Sequence, residues 1–243
     1  DLLAGVLATR LHESASLSAL MDLGTNGEIV VGNRDRLLCA STAAGPAFEG
    51  ARISMGMRAA TGAVSEVHVW DGGLRCHVLG GGPARGVCGS GLVDAVAAGL
   101  ELGWVKPSGR LVEREDLTLV PPVKLSQWDI RELQLAKGAI SAGLKLLVEQ
   151  WGARMEDLDR VYLAGAFGNY INHSSARRIG LLDFPADKVQ PAGNTALLGA
   201  KMALFNPDEE QLAYSELVPS VHHVSLHEHP RFQDSYVEEM GFA

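Results

Sequence analysis

The chain has 243 residues, 47% of them hydrophobic, with a formal net charge of −8. It is long and apolar enough to bury a substantial core, and its scattered lysines and arginines form no basic stripe of the kind a nucleic-acid backbone requires. Its longest apolar runs, such as Leu92 to Leu102 with Asp94, Gly99 and Glu101 inside it, fall well short of a helical membrane span.

The chain opens on Asp1 with apolar Leu2, Leu3, Val6, Leu7 and Leu11 at helical spacing, so a packed helix is expected at once. That start reads as a boundary within a longer protein. Three short apolar blocks follow in LSALMDLGTNGEIVVGNRDRLLCAST, separated by glycine-rich or charged turns, and are expected to be three consecutive strands paired antiparallel. VSEVHVWDG and LRCHVLGGG predict a hairpin within 64–82 closed around Asp71, Gly72 and Gly73. A glycine turn, CGSG, then leads an Ala/Leu/Val helix, and WVKPSGRLVERED reads as a loop. A longer helix is expected over SQWDIRELQLAKGAISAGLKLLVEQWG, with Ser126 and Asp129 as a capping box. DRVYLAGAFGNYI reads as a buried strand emptying into a glycine turn. Helices are expected around SSARRIG, NTALLGAKMALF and PDEEQLAYSEL, then a strand VHHVSLH and a closing helix FQDSYVEEM.

The segment DLGTNGE carries the strongest chemical signal. Gly24 and Gly27 let backbone amides approach an anion, Thr25 and Asn26 offer side-chain donors, and Asp22 is placed to hold a divalent cation through water. An ordinary Asn-Gly hairpin turn reads equally well from these residues alone. At the exit of VYLAGAFGN, Gly165 and Gly168 leave room for a base or ribose against backbone, and close packing is the competing reading. Gly89, Ser90 and Gly91 are compatible both with nucleotide contact and with a capped, closely packed helix. Glu49 is either an orienting group for water or Mg²⁺, or a solvated loop carboxylate. Arg131, Gln134 and Lys137 recur on one helix face within reach of a ribose or adenine edge, or as a polar stripe. His223, His227 and His229 would share one strand face, but no carboxylate or cysteine completes a metal set. Cys39, Cys76 and Cys88 have no metal-binding spacing, and their odd number fits a reducing cytoplasm.

Taken together, these segments resemble the superfamily of actin, heat-shock chaperones and sugar kinases. DLGTNGE is similar to its second phosphate motif and VYLAGAFG to its adenosine motif. At finer grain, DLGTNGEIVVG, STAAGPAFEGA, GMRAATGAV, GVCGSGL, DIRELQLAKGAI and LAGAFGNYI resemble the ATPase region of the reductive activators of corrinoid proteins, in order and over nearly the whole chain. The resemblance implies a ribonuclease-H-like α/β lobe, with a mixed sheet flanked by helices, spanning 1–243. It implies ATP and Mg²⁺ as ligands, Asp22 and Glu49 as catalytic groups, Asp22 as the metal group, and a nucleotide site of Gly24, Thr25, Asn26, Gly27, Gly89, Ser90, Gly91, Gln134, Lys137, Gly165 and Gly168. The implied role is to help return inactive cob(II)amide of a partner corrinoid protein to cob(I)amide, in the cytoplasm, with a homodimer compatible. The first-lobe DxGTT turn and the cysteines of the family's 2Fe–2S ferredoxin-like domain, through which electrons would arrive, do not occur in this sequence. A small-molecule kinase and a non-catalytic binding module are the alternatives, and turnover by the isolated chain is not expected.

Overall fold

The computed structural model describes residues 1–168, 170–205, 214–215 and 217–243, with the side chain of Ala166 left out. The chain divides into two compact units. One comprises Asp1–Thr42, Ala142–Asn169 and Phe184–Gln233; the other comprises Ala43–Ser141, Tyr170–Asp183 and Asp234–Ala243.

The first unit is organised by a six-stranded sheet. β1 (Ser18–Leu23), β2 (Gly27–Gly32) and β3 (Leu37–Thr42) pair antiparallel, as their short turns dictate. β9 (Arg160–Ala164) then lies parallel to β1, and β10 (Val189–Gly193) parallel to β9, while β11 (Val221–His223) runs parallel to β3 at the other edge. The order β10-β9-β1-β2-β3-β11 contains the ribonuclease-H pattern of three antiparallel strands extended by parallel ones. β1 is buried along almost its whole length, which is why its sequence is a continuous apolar run and not an alternating one. On one face lie Leu20, Val30 and Leu37, clustered with Val6, Leu7 and Leu11 of α1 (Leu2–Thr9) and the turn after it. α6 (Thr195–Phe205) packs against α1. On the other face, a Cβ added to Gly143 would stand 2.4 Å from Thr42 Cγ2, so α3 (Gln127–Trp151) lies directly on the sheet there.

The second unit has a three-stranded sheet, β5-β4-β6, of β4 (Ala63–Trp70), β5 (Gly73–Val78) and β6 (Gly86–Val87). Asp71 and Gly72, with φ of 49° and 71°, close β4 onto β5 in the two-residue turn that the DG pair predicts. α2 (Gly89–Glu101) packs on β4 and on α5 (His173–Arg178). α3 starts with the anticipated capping box, elaborated. Asp129, fully buried, accepts from Ser126 N–H and Oγ at 2.7 and 2.8 Å and from Ser54 N–H and Oγ, both at 2.6 Å.

Several expectations change. The segment read as a loop after α2 contains a Val105–Leu111 bridge and leads into a second hairpin of β7 (Asp116–Val120) and β8 (Val123–Ser126), whose Pro121–Pro122 turn reads as an interruption in sequence. β10 is a strand despite Pro191, which an edge position tolerates. The strand VHHVSLH ends at His223, and His227 lies in a 3₁₀ turn, so the histidines do not share a strand face. The three early strands, expected as a unit, are extended by β9 on the free side of β1, so Asp22 belongs to an interior strand. The closing helix is α7 (Phe232–Glu239). Most of the helix expected around PDEEQLAYSEL lies outside the described residues. Among the described residues no helix is long and apolar enough to cross a membrane.

Candidate nucleotide site

Two chain reversals meet in the first unit. β1 ends at Leu23 and β2 begins at Gly27 directly opposite, leaving Gly24, Thr25 and Asn26 as the connection, closed by a Gly24 N–H bond to Asn26 O at 3.1 Å. Beside it, β9 ends at Ala164, which is paired with Asp22, and the chain turns through Gly165 into α4 (Gly165–Gly168). Gly165 has φ 86°, and a Cβ there would stand 2.7 Å from Asp22 Oδ1 and 2.9 Å from Leu23 O. The DLGTNGE and LAGAFG segments are therefore in contact, and only glycine fits between them.

Asp22 is half-buried, and burial raises its pKa, with the neighbouring Glu28 carboxylate adding to the rise and the amino group of Asp1 opposing it. Glu28 stands opposite Asp22 in the β1–β2 register, and Ser41, next in the row on β3, donates to Glu28 Oε1 at 2.8 Å. Glu28 escaped the reading by motif. The signal for it was present, because a three-residue connection after Leu23 places residue 28 across from residue 22. Gly24 differs from Gly165. Its backbone does not require glycine, and an added Cβ would meet nothing nearer than Asn26 O at 3.8 Å. A position with no structural need for glycine is compatible with a ligand approaching the backbone. Thr25 and Asn26 are exposed at the same turn.

The remaining candidates belong to the second unit, where packing accounts for most of them. Ser90 Oγ donates to Ser65 O at 2.9 Å, and an added Cβ on Gly91 would lie 2.2 Å from Val64 O, so the glycine-rich first turn of α2 serves close helix–strand approach. Gly89 is buried in the same turn. Gln134 is buried, with Nε2 donating to Ser108 O at 3.2 Å and Met240 O at 2.9 Å. Lys137 is 2% exposed; Nζ donates to Gly180 O at 3.3 Å and faces Glu239 at 4.0 Å. Burial pushes its pKa down to about 8 against the raising effect of Glu239. Glu49 is exposed at the end of a 3₁₀ turn. The structure thus brings together Asp22, Gly24, Thr25, Asn26, Gly27 and Gly165, packs Gly168 against the Leu163 backbone, where an added Cβ would stand 3.2 Å from the carbonyl carbon, and gives Gln134 and Lys137 internal partners. Among the described residues no group of three or more His, Cys, Asp and Glu is arranged to hold a metal ion.

A family model described as the C-terminal domain of RACo, the ASKHA domain, matches residues 16–243. The chain belongs to this family. It is 35% identical to the corrinoid activation enzyme RamQ of Eubacterium limosum over 96% of its own length and 44% of that protein's. It is 34% identical to the [Co(II) methylated amine-specific corrinoid protein] reductase of Methanosarcina barkeri, covering 83% of this chain and 41% of the relative. Among solved structures, a reductive activator for corrinoid, iron–sulfur protein superposes with a TM-score of 0.91 at 33% identity, over 99% of this chain and 42% of that one. The chain thus spans less than half the length of the relatives it matches. The fold is that of an actin-like ATPase domain, and the family is that of corrinoid reductive activators.

Proposed function

We propose that this chain is the nucleotide-binding part of an ATP-dependent reductive activator, which returns the inactive cob(II)amide of a corrinoid methyl-transfer protein to cob(I)amide. The observation that carries the proposal is the contact between the Asp22–Gly27 turn and the Gly165 turn. Two strand ends meet there at a single corner of the sheet, with Thr25 and Asn26 exposed at the turn and the half-buried Asp22 carboxylate beside that of Glu28. Asp22 would hold Mg²⁺ through water, with the amides around Gly24 and Gly27 and the Thr25 hydroxyl meeting phosphate oxygens. The LAGAFG turn would border the nucleoside. The fit is supported by the room over Gly24 and by a carboxylate that burial and Glu28 leave short of positive charge. When bound, Mg²⁺ neutralises phosphate charge.

The reaction adds one electron to the cobalt of the partner, and the electron is supplied from outside this chain through a ferredoxin-like domain of the longer protein. ATP assists only by favouring one conformation of the complex over another, which requires different nucleotide affinities in the two. The test is the absorbance of cob(I)amide when the full-length protein, a reductant and a cob(II) corrinoid protein are mixed with and without Mg-ATP. ATP-dependent cob(I)amide supports the proposal. Equal reduction without ATP, or phosphoryl transfer to a sugar or carboxylic acid, contradicts it.

A further inference from the structure

A depression of about 470 Å³ lies in the second unit where the 108–110 loop meets the first turns of α3. Its floor is fixed. Gln127 Nε2 donates to Gly109 O at 2.8 Å, Leu111 N–H donates to Gln127 Oε1 at 2.9 Å, and Gln134 Nε2 donates to Ser108 O at 3.2 Å. The loop is therefore stapled to the helix by two glutamines, and the rim is preorganised.

That rim combines Trp128, 64% exposed, with exposed Arg110 and Arg131. Neither arginine makes an ion pair among the described residues; Arg131 donates to Gln134 Oε1 at 3.5 Å and its charge also acts on Tyr236. The chain has four tryptophans. Trp70, Trp104 and Trp151 each carry an arginine of this chain over the ring, at 5.4, 3.7 and 5.4 Å, and among the described residues Trp128 carries none. Two guanidiniums with no carboxylate partner among the described residues, in a protein of net charge −8, attract an anionic ligand against the general field of the molecule. Tryptophan and arginine are also the residue types that dominate protein-binding hot spots.

We infer that this depression docks an acidic segment of a partner protein, one presenting carboxylates around an apolar side chain, with the apolar group on Trp128 and the carboxylates on Arg110 and Arg131. Bidentate guanidinium–carboxylate pairing supplies the orientation, and burial of the exposed indole face supplies the apolar contribution. The inference is independent of nucleotide binding at the Asp22 corner.

The probe is the capped peptide Glu-Glu-Leu-Glu-Glu, with Gln-Gln-Leu-Gln-Gln as the neutral control. Both are followed by the NMR indole N–H signals of the chain, with that of Trp128 assigned through Trp128→Phe. The acidic peptide should shift the Trp128 signal saturably below about 5 mM. Raising the salt from roughly 20 to 300 mM should weaken it about tenfold. The double variant Arg110→Gln/Arg131→Gln should lose about tenfold in affinity while the melting temperature stays unchanged, a combination that a purely structural role of the arginines would not produce. Equal binding of the neutral peptide would overturn the inference. So would the absence of a shift at about 5 mM, or displacement of the acidic peptide by ATP alone, which would make the depression a small-anion site.

Discussion

Replacing Gly165 and Gly24 separately by alanine tests the two roles glycine plays at the proposed site. Gly165→Ala places a methyl 2.7 Å from Asp22 Oδ1 and 2.9 Å from Leu23 O, at a backbone φ of 86°. The positive φ costs roughly 1–2 kcal/mol. Overpacking against a carbonyl that β-pairing holds in place adds roughly 1–3 kcal/mol. The expected loss is about 2–5 kcal/mol, which at about 2–4 °C per kcal/mol for a chain of this size is a fall in melting temperature of roughly 4–20 °C. Gly24→Ala carries neither cost, since the methyl has 3.8 Å to its nearest neighbour, so its stability should change by less than about 0.5 kcal/mol. Its methyl does stand where phosphate oxygens are proposed to approach, so Mg-ATP affinity of the full-length protein should fall about tenfold or more. Urea and thermal melts measure the first pair of effects, and calorimetric titration measures the last. A Gly165→Ala variant melting like wild type would refute the tight junction of the two turns. A Gly24→Ala variant with undiminished Mg-ATP affinity would refute phosphate binding at the Asp22–Gly27 turn.

Other consequences follow from buried charges. Because burial and Glu28 raise the Asp22 pKa in the folded state above its ordinary 3.8, the charged form opposes folding, and this penalty builds up as pH rises from 3.8 and is complete above the folded pKa. Asp22→Asn should therefore melt higher than wild type at neutral pH and lose that advantage near pH 3.8, as paired denaturation curves would show. Lys137 has the opposite window. With a folded pKa of about 8 against 10.5, the unfolded chain binds more protons between those values, so this group lets stability rise with pH from about 8 to 10.5. Lys137→Met should flatten that rise by an amount on the order of 2–3 kcal/mol, read from urea melts at pH 7 and 10. Asp129→Ala strips four short hydrogen bonds from two serines at a fully buried cap and should cost about 3 kcal/mol, visible as a lower urea midpoint with unchanged slope.

What could be read in advance follows from how local the determinants are. The three antiparallel strands were legible because turns as short as Gly24–Asn26 leave no other pairing, and α3 because Ser126 and Asp129 announce its start. β10 and the β7–β8 hairpin were not, since Pro191 and Pro121–Pro122 read locally as breakers while sheet pairing overrides that preference. In the site, glycine spacing pointed to the two turns, yet their contact depends on β9 lying parallel to β1, a pairing across more than a hundred residues that no local pattern encodes. The same limit applies to Gln134 and Lys137. Their helical spacing is real, but the carbonyls of Met240 and Gly180 that occupy them come from remote segments. The partition into two compact units was likewise invisible, because α3 carries one uninterrupted apolar pattern while contributing residues to both.

The corner formed by β1, β2 and β9 is proposed to bind the metal and phosphates of a nucleotide through Asp22. Mg-ATP binding and phosphate release by the full-length protein, compared between wild type and Asp22→Ala, test it most directly. The carboxylate sits at a strand end, so its loss leaves the sheet pairing intact. Mg-ATP turnover should fall to background while the melting temperature is unchanged or higher; undiminished turnover in a well-folded Asp22→Ala protein would show that Asp22 does not hold the metal.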